Sequence, residues 1–188
     1  MHQVSSACHW FKGILSRLRG SSGRPKVQRT LNLDILEKRL VPAFAPVLVK
    51  DLNPGNPDSQ PRQFMAVGST LFFTATDSAG GRELWKSDGT ALGTFRVKDI
   101  NPGAASSNPL GLTAVGGLLF FSASDGTSGR ELWKSDGTEL GTVRVKDINP
   151  GGADSSPGYS GNIFRQSELV NLNGTLVFSA DDGTNGIE

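Results

Sequence analysis

Trp85 and Trp133 occupy the same place in two copies of one segment, and each lies two positions after a glutamate, Glu83 or Glu131. An open indole face can stack on a pyranose ring, so the pair is a candidate ligand-stacking site for carbohydrate. A large aromatic at the same place in successive units also fills the gap between packed sheets. Glu83 and Glu131 have the residue type of glycosidase carboxylates. Each directly follows an arginine, Arg82 or Arg130, and each is a copy of the other, which favours a structural ion pair. Asp77, Asp125 and the pair Asp181-Asp182 occupy corresponding loops. Oxygen-rich turns suit calcium, which makes Asp125, Asp181 and Asp182 candidate calcium ligands. No copy has the dense Asp-x-Asp-x-Asp-Gly spacing of an EF-hand or the Gly-Gly-x-Gly-x-Asp nonapeptide of calcium solenoids. A single carboxylate per loop is otherwise a turn former.

Nucleophilic chemistry has less to work with. His2, His9 and Cys8 are the only histidines and the only cysteine, so residues 47–188 contain neither type. The Ser-His-Asp and Cys-His arrangements are therefore unavailable there. No glycine-rich loop has the P-loop or dinucleotide spacing. A zinc site from His2, Cys8 and His9 lacks a fourth ligand and any known spacing, and reads better as a solvated tail. No catalytic residue and no required cofactor are expected; calcium is the one cofactor the loops would suit.

The elements that position these residues come from repetition. Glu83-Leu84-Trp85-Lys86-Ser87-Asp88-Gly89-Thr90 returns unchanged at Glu131–Thr138, and Lys50-Asp51 returns with the same offset at Lys98 and again at Lys146. The period is ~48 residues, a length typical of propeller blades and related arrays. Leu176-Val177-Phe178-Ser179-Ala180-Asp181 copies the strand beginning at Leu119 but comes later than that period allows, so the loop from Gly151 to Gln166 has gained nine. Each unit holds four strand-like segments. The first is Phe64 to Val67, with copies Leu112 to Val115 and Leu169 to Leu172. The pairs Gly68-Ser69, Gly116-Gly117 and Asn173-Gly174 follow, and suit type I′ hairpins.

In the second strand Leu71, Phe73 and Ala75 alternate onto one face, as do Leu119, Phe121 and Ala123. Thr74, Thr76, Ser122 and Ser124 line the other face, expected to be at most partly wet. The third strand, Arg82 to Ser87, places Glu83 and Trp85 on one side. The fourth, Phe95 to Asp99, ends at Asn101-Pro102-Gly103, and Lys98-Asp99 reads as an exposed strand end. Residues 64–99 and 112–147 should therefore form two equivalent four-stranded antiparallel sheets, with Leu71, Phe73, Trp85 and their copies buried. The fold class is all-β, tandem and β-propeller-like, since four short strands in each repeat match the anatomy of one propeller blade. By strand count the chain as given is an incomplete array, its last unit stopping as a third strand begins; such a chain should be marginally stable and associate.

Charge is uneven. Residues 1–40 carry eight basic side chains against Asp34 and Glu37, a net of +6, while the remainder carries 11 basic and 16 acidic, a net of −5. The acidic body argues against a nucleic-acid partner. Residues 1–46 read as a basic, largely disordered leader and 47–188 as the tandem repeats. Trp10, Phe11, Ile14, Leu15 and Leu18 recur at helical spacing, which fits either a short amphipathic helix or an unstructured basic segment. No stretch approaches the ~20 apolar residues of a transmembrane helix.

Two resemblances follow from these residues. Glu83 to Thr94 and Glu131 to Thr142 resemble the ELWxxDGTxxGT repeat of large bacterial surface or secreted proteins, over residues 47–188. Leu33-Asp34-Ile35-Leu36-Glu37-Lys38-Arg39-Leu40-Val41-Pro42-Ala43 resembles the Leu-Glu-x-Arg-x-x-Pro-Ala element found after a basic stretch near the N terminus of large exported bacterial proteins. The resemblances imply a propeller-like array with an extracellular or cell-envelope destination. They attach no defined activity to the repeat. The reading is a non-catalytic repeat module serving as scaffold or interaction surface, with a protein or glycan partner at the cell surface; the alternative is a carbohydrate-binding or carbohydrate-active propeller.

Overall fold

Period-two alternation broken by glycine and proline turns favours short strands over helices, and short strands are what form. The computed structural model describes residues 46–55, 58–77, 81–158 and 168–188, and those residues are all-β without a helix. The leader, with His2, Cys8, His9, the Trp10–Leu18 stretch and the segment through Ala43, lies outside the described residues. Residues Pro46–Glu188 form one compact unit.

The first sheet runs in chain order through β1 (Arg62–Val67), β2 (Thr70–Thr76), β3 (Arg82–Ser87) and β4 (Phe95–Lys98). The second repeats it as β5 (Leu110–Val115), β6 (Leu118–Ser124), β7 (Arg130–Ser135) and β8 (Val143–Lys146). A third sheet pairs β9 (Val170–Leu172) with β10 (Thr175–Val177). Every pairing is antiparallel, so the two expected four-stranded sheets are present. Among the described residues the sheets close into neither a barrel nor a propeller.

Register repeats as closely as sequence does. Phe73 faces Trp85 and Ala75 faces Glu83 across β2 and β3; Phe121 faces Trp133 and Ala123 faces Glu131 across β6 and β7. Beyond β10, Ala180 and Glu188 exchange two backbone hydrogen bonds of 3.1 Å, giving Glu188 the register position of Glu83 and Glu131. The backbone is strained at the same places in each unit: Gln60, Asn108 and Ser156 all have φ of 45–46°. Left-handed backbone is uncommon outside glycine, so three in-phase instances mark one repeated path of the chain between sheets. Asn173-Gly174 and Gly116-Gly117 have positive φ at both turn positions, as a type I′ hairpin requires. In the first hairpin Gly68 alone does, the pattern of a type II′ turn.

Burial corrects the expected faces. Phe72, Leu84, Val97 and Ile100 of the first unit pack with Leu112, Leu119, Phe121, Ala123 and Trp133 of the second, with Met65 and Val67 against them. Phe73, Ala75 and Trp85, on the opposite face of the first sheet, pack with Leu52. On the face expected to be at most partly wet, Thr74 and Ser122 are buried and Thr76 and Ser124 are partly exposed. Leu71 departs in the other direction: it is 38% exposed, whereas its copy Leu119 is fully buried. Leu119 lies under the first sheet, while the face holding Leu71 meets no equivalent sheet among the described residues.

Candidate functional site

The residues with chemical potential sit in and around the repeated Glu-Leu-Trp segment, and nearly all of them hold the fold. Glu83 is fully buried and accepts hydrogen bonds from Ile100 N at 3.1 Å, Ser107 N at 2.8 Å and Ser107 Oγ at 2.5 Å. Glu131 does the same with Ile148 N, Ser155 N and Ser155 Oγ at 2.9, 3.2 and 2.7 Å. Each glutamate clamps the loop that leaves its own sheet for the next. The expected ion pair with the preceding arginine does not form, because adjacent strand residues point to opposite sides. Arg82 and Arg130 instead donate to the carbonyls of Gln60 and Asn108, at 2.8 and 2.9 Å, and so brace the left-handed residues.

Burial pushes the Glu83 carboxyl above its ordinary value, while the Ser107 hydroxyl, Ser107 N and Ile100 N pull it back and the nearby Asp99 adds a small push upward. A raised carboxyl buried in a clamp is a pattern seen in acid catalysts. Here every donor to it belongs to the connecting loop: Ile100 N, Ser107 N and Ser107 Oγ.

Trp85 and Trp133 are 5% and 7% exposed. Trp85 stacks against Phe73 at 6.5 Å between ring centres, and its Nε1 donates to Ala75 O at 3.1 Å. Trp133 Nε1 is buried without a hydrogen-bond partner. Both indoles are therefore taken up by packing, Trp133 between the first and second sheets and Trp85 against Phe73, Ala75 and Leu52.

The following Asp-Gly-Thr turn is self-supporting. Asp88 Oδ1 accepts from Thr90 N and Thr90 Oγ1, Thr90 Oγ1 accepts from Gly93 N, and the Ser87 and Thr94 hydroxyls lie 2.6 Å apart. A side chain at Gly93 would collide with the Asp88 carboxylate, which explains why glycine stands there. The same bonds recur at Asp136, Thr138, Gly141, Ser135 and Thr142. Lys98, expected from the sequence to be an exposed strand end, is partly buried. Its Nζ donates to Thr142 O of the next unit at 2.9 Å, as Lys50 does to Thr94 O at 2.6 Å. The lysine thus tethers each unit to the turn of its successor.

The calcium candidates are engaged as well. Asp125 Oδ1 accepts from Thr127 N, Thr127 Oγ1 and Ser128 N, and Oδ2 lies 3.8 Å from Arg144. Asp77 pairs with Arg96 at the same distance. Asp181 Oδ1 accepts from Gly183 N; both oxygens of Asp182 accept from the turn through Asn185. These carboxylates direct their lone pairs to turn donors, and the described residues contain no group of three or more metal-ligating side chains.

Burial raises the Asp125 carboxyl, but the Ser128 and Thr127 donors outweigh it and leave the pKa below the ordinary 3.8. The unfolded chain then takes up a proton at higher pH than the folded one. Asp125's contribution to stability is complete above 3.8 and is lost as pH falls through the lower folded value. Glu83 has the opposite sign: its contribution is complete below 4.5 and is lost as pH rises through the raised folded value. Asp125→Asn keeps an accepting oxygen but no longer titrates. It is expected to flatten the acid limb of urea midpoint against pH; an unaltered acid limb would remove Asp125 from the account.

What solvent does meet is partly apolar, which sequence reasoning missed. Leu92 and Leu140 project almost bare from equivalent turns, and Phe64, Val170, Leu172 and Val177 are exposed on strands. Only the strand alternation could have flagged the last four, and it cannot say which faces find a cover. Comparison of the chain with protein-family models, curated proteins and solved structures returns no match in any of the three.

Proposed function

We propose that this chain is a non-catalytic repeat module of the ELWxxDGT type, with its sheets arranged as successive blades of a propeller-like array that serves as scaffold or interaction surface. One observation carries the reading: each motif side chain that could perform chemistry is committed to a contact that builds a sheet, a turn or the junction between units. Glu83 and Glu131 clamp loops, Trp133 fills the gap between the first and second sheets, Trp85 packs under Leu52, and Asp88 and Asp136 close turns. No cofactor has a part in it. The inner strands β1, β5 and β9 lie side by side, which supports a blade-like order of the three sheets. The N-terminal element of Leu33 to Ala43 supports an envelope or extracellular destination.

A glycan array decides between this reading and the carbohydrate alternative. The full-length protein is expected to leave the array blank. Glycan binding that disappears in a folded Trp85→Phe variant would assign the tryptophans to a sugar site and overturn the proposal.

A further inference from the structure

One interface is used repeatedly inside the molecule. In its first use, Met65, Val67 and Phe72 on one face of the first sheet pack into the cluster that holds Leu112, Leu119 and Phe121 of the second. In its second use, Thr113 and Val115, the copies of Met65 and Val67, lie against the third sheet's approach: Val115 and Leu169 are buried, and Thr113 Oγ1 donates to Leu169 O at 2.9 Å. Leu169 is the copy of Leu112.

The next forward-facing set is Val170, Leu172 and Val177, the third unit's copies of Met65, Val67 and Phe72. All three are apolar, and they are 53%, 59% and 47% exposed. The next rear-facing set, one unit earlier, is Phe64 and Leu71, in the places of Leu112 and Leu119. These are 58% and 38% exposed, against 6% and 0% for their copies. One molecule therefore shows solvent both halves of an interface whose packing it completes internally.

We infer that a second copy of this chain docks head to tail, setting its Phe64 and Leu71 face on the Val170, Leu172 and Val177 face of the first. The occupant follows from continuity with the internal interface: the residue types and register that cover Leu119 are the ones left open on the third sheet. Burying these side chains removes apolar surface from water at both faces at once. The contact joins two different patches, so it is heterologous, and it either closes into a ring or extends as an open string. The inference stands independently of the non-catalytic reading, since an enzyme could associate in the same way.

Sedimentation velocity of the full 188-residue protein over a concentration series tests it. The weight-average mass should rise with concentration. Leu71→Asp and Leu172→Asp, both at solvent-accessible positions, should each lower the association constant by at least about tenfold by placing a charge in the apolar contact. An equimolar mixture of the two variants should recover association but stop at two chains, because each retains one intact face. Circular dichroism confirms folding; if either variant unfolds, Phe64→Asp or Val177→Asp takes its place. A wild-type protein that is monomeric throughout overturns the inference. So do single variants that associate as the wild type does, which would move the contact to strand edges, and a mixture that stays monomeric.

Discussion

Trp133→Ala is expected to lower the unfolding free energy by about 3–5 kcal/mol, the range for truncating a buried aromatic where the site cannot collapse. The indole sits in the cluster shared by the first and second sheets, among Phe72, Leu84, Val97 and Phe121, so its removal opens a void between two sheets rather than within one. Neither sheet can follow it inward, since Glu83 and Lys98 fix the spacing of successive units. Trp133→Phe should cost far less. It keeps much of the fill and removes a buried Nε1 that has no acceptor, a group whose desolvation costs roughly 1–3 kcal/mol. Urea unfolding of both variants reads the difference. A loss under about 1 kcal/mol for Trp133→Ala would show that the ring is not a packing residue and would return it to the pool of ligand candidates.

Glu83→Ala should be comparably damaging. The change strands two backbone donors, Ile100 N and Ser107 N, and leaves Ser107 Oγ only the long bond to Arg82 O at 3.4 Å, in a site with no access to solvent in the intact fold. Each orphaned buried donor costs about 1–3 kcal/mol, so a total near 2–5 kcal/mol is expected after some relaxation. Glu83→Gln retains one accepting oxygen and should recover part of that loss. Amide hydrogen exchange at Ile100 and Ser107 checks the mechanism, because protection there should fall in Glu83→Ala well beyond what the global destabilisation requires. Undiminished protection at both amides would show that the loop is held by something other than the glutamate.

The two expectations explain why local reading goes so far in this chain and where it halts. Strand positions were legible because side-chain alternation has a period of two and because glycine, asparagine and proline mark the reversals between strands. Arg82 to Ser87 is the third strand to the residue, and Phe73, Trp85 and their copies are buried as the alternation implies. Asp88 was legible as a turn former, since an Asx carboxylate reaches a backbone N–H two residues on without help from elsewhere.

The partners of Glu83 were not legible. Ile100 and Ser107 are 17 and 24 residues away along the chain, and the charge of Arg82 next door suggested an ion pair that strand geometry forbids. Lys98 misled for the same reason, its acceptor being the carbonyl of Thr142 in the following unit. Leu71 and Leu119 each begin a Leu-Phe-Phe segment in the same register, yet one is partly exposed and the other buried. Sequence alone determined that this protein is a tandem all-β repeat and which residues face which side of each strand. The tertiary structure decided which of those faces are covered, because burial depends on the neighbouring sheet and a strand's own residues carry no record of whether that neighbour is there.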